Sequence, residues 1–173
     1  FVLSPILEQA LESFARNVGA ASLPVSTYIA NRLAIGERGV PYSSITAFDS
    51  SPGPFGELTL VAGGPASPPA DNEILINEWA AEDLGASVGD SLEMTFFEVG
   101  PKEQLTTRVE SFELSGIVEM TGLAADRSLV PDFPGISNAA NMVDWDPPFP
   151  VDLGLIRPQD EDYWDEYRAT PKA

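Results

Sequence analysis

Asn77-Glu78-Trp79-Ala80-Ala81-Glu82-Asp83-Leu84-Gly85-Ala86-Ser87-Val88-Gly89-Asp90 decides how this chain is read. It predicts one short helix, a stop and the entry to a strand. Asn77 suits an N-cap, where its side-chain oxygen accepts from a free backbone N–H of the first turn. Glu78 follows where the helix dipole favours negative charge. Ala80, Ala81 and Leu84 make a small apolar stripe, and Gly85 can take the left-handed conformation that closes a helix. Beyond Val88-Gly89-Asp90, Leu92, Met94 and Phe96 alternate with Ser91, Glu93 and Thr95. That is the period of a strand with one buried face.

Outward from this stretch the chain reads as short strands and few helices. Upstream, Glu73-Ile74-Leu75-Ile76 is a short strand that feeds the helix directly. Ser26 to Ile35 is a strand, with Ile29, Leu33 and Ile35 on one parity. Gly36-Glu37-Arg38-Gly39 is a turn and Val40 to Phe48 returns, which makes a hairpin. Pro5 to Val18 reads as a helix, with Leu7, Ala10, Leu11, Phe14 and Val18 on one face and Gly19 as its stop. Residues 50–72 are a breaker-rich loop around one short strand, Leu58 to Val61. Downstream, Glu98 to Lys102 is a turn, and Leu105 to Val118 pairs back on the Ser91 to Phe97 strand. Its phase slips between Val109 and Phe112, which predicts a bulge near Glu110-Ser111. Residues 126–166 form an acidic, Pro-rich strap, and Asp160 to Arg168 reads as a short helix carrying Tyr163, Trp164 and Tyr167. The expected architecture is α+β: one domain over 1–173, with a mixed or largely antiparallel sheet and a few short helices.

Composition narrows the chemistry. The chain has 173 residues, 43% of them hydrophobic, enough for a core. Nine Lys and Arg face 27 Asp and Glu, a net charge of -18. A chain so acidic is a poor match for nucleic acid, whose affinity comes largely from neutralised phosphates. It is an equally poor match for anionic lipid headgroups. There is no Cys and no His, which removes thiol nucleophiles, Ser-His-Asp triads and Cys/His zinc sites. No apolar run approaches the roughly 18–20 residues that span a bilayer.

The candidate sites are few. Ten acids between Asp126 and Glu166 could attract Ca²⁺, but no Asp-x-Asp-x-Asp-Gly loop organises them, and a solvated acidic face is the plainer account. With 27 acids, a pair of carboxylates placed for glycoside hydrolysis carries almost no signal. Trp145-Asp146-Pro147-Pro148-Phe149-Pro150 could dock a partner or stack on a sugar; it could equally be an extended strap whose Trp145 and Phe149 plug the domain's own core. Tyr163 and Trp164 join Trp145 and Phe149 as the partner-contact candidates. Ser43, Ser44 and Ser115-Gly116 have no general base beside them in sequence, and Gly63-Gly64 lacks the Lys-[Ser/Thr] of a phosphate loop. No catalytic, cofactor-binding or metal-ligating residue is assigned.

The opening stretch, together with Ser91-Leu92, resembles the "LNEWLAxDLGxKxGDxVxL" pattern of extracytoplasmic domains in MacB/FtsX-type ABC transporter permeases. Tyr163-Trp164-Asp165-Glu166-Tyr167-Arg168-Ala169-Thr170-Pro171-Lys172-Ala173 is similar to the "YWxxYRxTPKAF" segment of a large-permease branch. Thr27-Tyr28-Ile29-Ala30-Asn31 and Val40-Pro41-Tyr42-Ser43 are similar to its "TYLAN" and "IPYS" segments. The resemblance implies a non-enzymatic domain on the extracytoplasmic, periplasmic side of a bacterial cytoplasmic membrane, inserted after a first transmembrane helix. Its partners would be the permease's membrane helices, a cytoplasmic ATPase acting through them, and an extracytoplasmic protein or substrate. The 50–72 loop and the acidic strap depart from the best-known members, so their substrates are not carried over. The chain starts at Phe1 rather than Met and stops after Lys172-Ala173, and we expect it to be part of a longer protein. The competing reading is a stand-alone acidic module that binds Ca²⁺, a sugar or a peptide.

Overall fold

A computed structural model describes residues 23–48, 54–168 and 170–173, with Ser13, 17–19 and Ala21 ahead of them. The helix expected over Pro5 to Val18 lies largely outside the described residues.

Five strands form one mixed, curled sheet: β1 (Val25–Ile35), β2 (Arg38–Phe48), β3 (Glu73–Asn77), β4 (Ser91–Val99) and β5 (Leu105–Val118). Their order is β2-β1-β4-β5-β3. All neighbours are antiparallel except β3, which runs parallel to β5. Among the described residues two helices pack with the sheet, α1 (Glu78–Leu84) and α2 (Pro158–Tyr167). The fold is therefore α+β. Among the described residues no helix is long and apolar enough to cross a membrane.

The β1–β2 hairpin pairs Ile35 with Arg38, so its turn is only Gly36-Glu37, tighter than the four residues expected. Gly36 takes φ 57° there, a conformation that L side chains avoid. Two other expectations change. The Glu110-Ser111 bulge is absent: β4 and β5 stay in register through Glu93–Ser111 and Met94–Glu110. The register shift lies instead between β3 and β5, where Ile74 pairs with Leu114 and Leu75 with Gly116. Val109 looked like a phase slip because it is apolar, yet it is 54% exposed and belongs to the solvent side of the outer hairpin. Leu58 to Val61 is not a strand but two isolated bridges, Thr59–Pro65 and Leu60–Val118. Gly63 and Gly64, both at positive φ, turn the chain back at once, so no ladder can grow.

The core has three parts. Leu33, Ile76, Leu84, Leu92 and Leu114 are fully buried where α1 closes on the sheet. Each buried side chain of this size is worth about 1.5–3 kcal/mol. Leu58 and Ala66 from the breaker-rich loop pack with Val118, Leu123 and Leu129. The strap supplies the third part: Ile136, Met142 and Trp145 pack on Tyr42 and Trp164.

The two sheet edges, β2 and β3, do not stay open. Lys172 N–H donates to the Ser44 carbonyl (2.8 Å), and Thr46 N–H donates to the Ala173 carbonyl (2.8 Å). On the other side Asn77 N–H donates to the Lys172 carbonyl (3.0 Å). The tail thus satisfies backbone groups of both edge strands, which would otherwise be exposed pairing surfaces.

Candidate functional site

The site grows from Asn77. Its backbone is extended (φ -74°, ψ 160°) and its side-chain oxygen accepts from Ala80 N–H at 2.8 Å, the N-cap of α1. Gly85 closes the helix at φ 63°. The other half of the amide reaches much further: Nδ2 donates to the Tyr163 hydroxyl (3.1 Å) and to the Pro171 carbonyl (3.0 Å). With 2% of its surface exposed, Asn77 fixes α1, α2 and the tail together. Asn77→Ala removes a cap worth about 1 kcal/mol and leaves a buried carbonyl unpartnered, a further 1–3 kcal/mol. We expect a loss of about 2 kcal/mol or more in urea denaturation; a change below about 0.5 kcal/mol would show the joint to be incidental.

Lys172 lies beside it. Its side chain is buried, 4% exposed, with Nζ 4.7 Å from the Trp79 ring centre and 4.6 Å from that of Tyr163. Among the described residues no carboxylate lies within 4 Å of it. Burial pulls its pKa from 10.5 down to about 8; Asp160 and Asp83 oppose the shift and Arg157 adds to it. The Tyr163 hydroxyl is pushed up to about 12, mainly by burial, against hydrogen bonds with Thr170 and Asn77.

The start of α2 locks the same region. Arg157 is the N-cap residue and Pro158 occupies the first turn, where a missing N–H is harmless. Arg157 N–H and Nε both donate to Asp160 Oδ2 (2.9 and 2.8 Å), and Nη2 reaches Asp160 Oδ1 (2.8 Å) and Asp83 Oδ2 (2.6 Å). Asp160 is completely buried. Hydrogen bonding to Asp160, with Asp83 behind it, raises the guanidinium pKa further. Glu161 accepts from Met142 and Val143 N–H, and Arg168 donates to the carbonyls of Ala139 and Ala140. These bonds staple the strap to α2.

The aromatic candidates are placed by this packing. Trp145, Tyr163 and Trp164 are buried and Phe149 is half-buried. Trp145 meets Trp164 edge-on at 5.1 Å and Tyr42 at 5.9 Å between ring centres. Trp145, Tyr163 and Trp164 belong to the domain's own core, and Phe149 packs against it. The physical reason is area: rings of this size bury 150–250 Å² each, and the strap's short turns return them to the sheet. Several strap acids serve locally. Asp126 accepts from Ser128 N–H, a bond that lowers its pKa, and Asp152 accepts from Gly154 N–H. Among the described residues no three acidic side chains converge as a metal site would require. Ser43 is buried, and Ser115 donates to the Ile74 carbonyl.

Against the tail lies a cavity of about 350 Å³, lined by Ile45, Phe48, Ile74, Met94, Phe112 and Lys172 among others. A concave, mostly apolar space of this size with few polar groups suits a small molecule or an apolar side chain. No local feature of the sequence marks it, because its walls come from four strands, the 50–72 loop, the segment after β5 and the tail. No protein-family model and no curated protein matches this chain.

Proposed function

We propose that this is a non-enzymatic extracytoplasmic domain of a MacB/FtsX-type ABC transporter permease, which couples movement of transmembrane helices to engagement of a substrate or partner protein. One observation carries the reading. The two stretches that resemble that family, 77–92 and 163–173, are joined directly: Asn77 bonds Tyr163, Pro171 and Lys172, and Trp79 packs on Tyr163 and Lys172. The tail is also bonded to β2. A displacement of the tail is therefore delivered by backbone hydrogen bonds to both edges of the sheet at once, which is what a domain that transmits motion needs. On this reading its partners are the permease's own membrane helices, a cytoplasmic ATPase through them, and an extracytoplasmic protein or substrate. The location is the periplasmic side of the cytoplasmic membrane.

The coding sequence on either side of residues 1–173 tests it. Apolar segments of about 20 residues, long enough to span a bilayer, and a neighbouring ATPase gene are expected. A gene that encodes no such segment removes the proposal. The cavity beside the tail favours a second reading, a stand-alone module that takes an apolar peptide side chain, and that reading stands if the spans are missing.

A further inference from the structure

The chain holds nine cations against 27 acids. Three of the nine, Arg32, Arg38 and Arg157, line one open cleft of about 500 Å³ at the β1–β2 turn, beside the end of α1 and the start of α2. Arg157 is occupied by Asp160 and Asp83. Arg32 and Arg38 are not: among the described residues no carboxylate lies within 4 Å of either. Arg32 spends one N–H on the Glu37 carbonyl (3.2 Å).

Both guanidiniums occupy places that a side chain would deny them. A Cβ on Gly39 would overlap the Arg32 guanidinium, and a Cβ on Gly85 would overlap that of Arg38. Gly85 is needed in any case, since it closes α1 at positive φ. Gly39 is different. It lies within β2 and its φ is not in the left-handed region, so the turn makes no demand for glycine there. A glycine inside a strand weakens it and often marks a close approach; here the approaching group is Arg32.

We propose that this cleft binds a single oxyanion, a carboxylate or a phosphate, held by Arg32 and Arg38. A guanidinium presents a planar fork of donors that matches either group in a bidentate manner. Leu155, 49% exposed, gives the cleft an apolar wall. Glu37 also lines the cleft, and Asp83 does so while paired with Arg157; this acidic surround disfavours a long polyanion, so the ligand is one that presents a single oxyanion group. The inference is independent of the transporter reading.

Titration of the protein in low-salt buffer, followed by backbone amide NMR shifts, tests it with two probes: inorganic phosphate and a blocked glutamate peptide. Saturable binding is expected, with shifts centred on residues 32, 38 and 39 and a Kd on the order of millimolar, as two charge-assisted contacts supply. A response to the peptide alone identifies a protein side chain as the source; a response to phosphate alone identifies a phosphate-bearing ligand. Arg38→Gln should weaken binding about tenfold. Gly39→Ala keeps every charge but displaces Arg32, and should weaken it several-fold without lowering the melting temperature. Absence of saturable binding by both probes, or binding that Arg38→Gln and Gly39→Ala leave intact, overturns the proposal.

Discussion

Arg157→Ala is expected to lower stability by about 3–5 kcal/mol, the cost of leaving a buried carboxylate without its partner. Asp160 has no exposed surface, and two of its hydrogen bonds come from the Arg157 side chain. The backbone N–H of residue 157 still donates to Asp160 in the variant, and Lys172 is close enough to interact with its charge. Neither replaces a guanidinium that grips both oxygens. The same substitution removes the bridge to Asp83, so α1 and α2 lose their ionic link. A cycle separates these effects. Asp160→Asn in the Arg157→Ala background should recover much of the loss, because the uncompensated charge is gone. Arg157→Lys should fall between, since it keeps the charge but not the fork. Urea denaturation at neutral pH of the wild type, these three variants and Asp160→Asn alone measures them. A loss below about 1 kcal/mol for Arg157→Ala would mean that water or another cation already serves Asp160.

This arrangement was half legible in the sequence. Asp160 to Arg168 reads as a helix with its acids at the start, and the observed helix begins two residues earlier, at Pro158. That Asp160 is buried under Arg157 and that Asp83 joins them requires the fold, because Asp83 is 74 positions from Arg157. The same division runs through the molecule. Asn77 as a cap, Gly85 as a stop and the alternation of Leu92 and Met94 are local features, set by neighbouring residues, and each occurs in the structure. The bulge was misplaced because periodicity counts an apolar residue as buried, and Val109 is not. The second half of the Asn77 amide was out of reach, since its partners lie 86 and 94 residues away. The aromatic strap allowed two readings, and only burial could choose between them. The arginine cleft has no local sign in the sequence: Gly36 and Gly39 both read as turn glycines, and only the pairing of Ile35 with Arg38 places Gly39 inside β2.

Raising the pH from about 8 towards 10 is expected to stabilise the protein, against the usual trend for so acidic a chain. Lys172 is the cause. In the unfolded chain its amine keeps its proton up to the ordinary value of 10.5, whereas in the folded state it gives the proton up near 8. Between these values the unfolded state binds more protons, so stability rises with pH. Below pH 8 both states are protonated and the full penalty of a buried ammonium is present. Each pKa unit corresponds to about 1.4 kcal/mol, so the whole span is worth about 3 kcal/mol. Tyr163 works in the opposite direction at higher pH: its hydroxyl ionises near 10 when unfolded and near 12 when folded. The unfolded state then holds fewer protons and stability falls, which places the maximum near pH 10. Asp160, Asp83 and Arg157 face the same amine and modulate its charge. Lys172→Met separates the contributions. It should abolish the rise between pH 8 and 10 and leave the fall above 10. At pH 7 it should stabilise the fold by about 1–2 kcal/mol, since cation–π contacts with Trp79 and Tyr163, worth about 0.5–2 kcal/mol, offset part of the burial penalty. Denaturation at several pH values decides the matter: a rise that persists in Lys172→Met would assign it to another group.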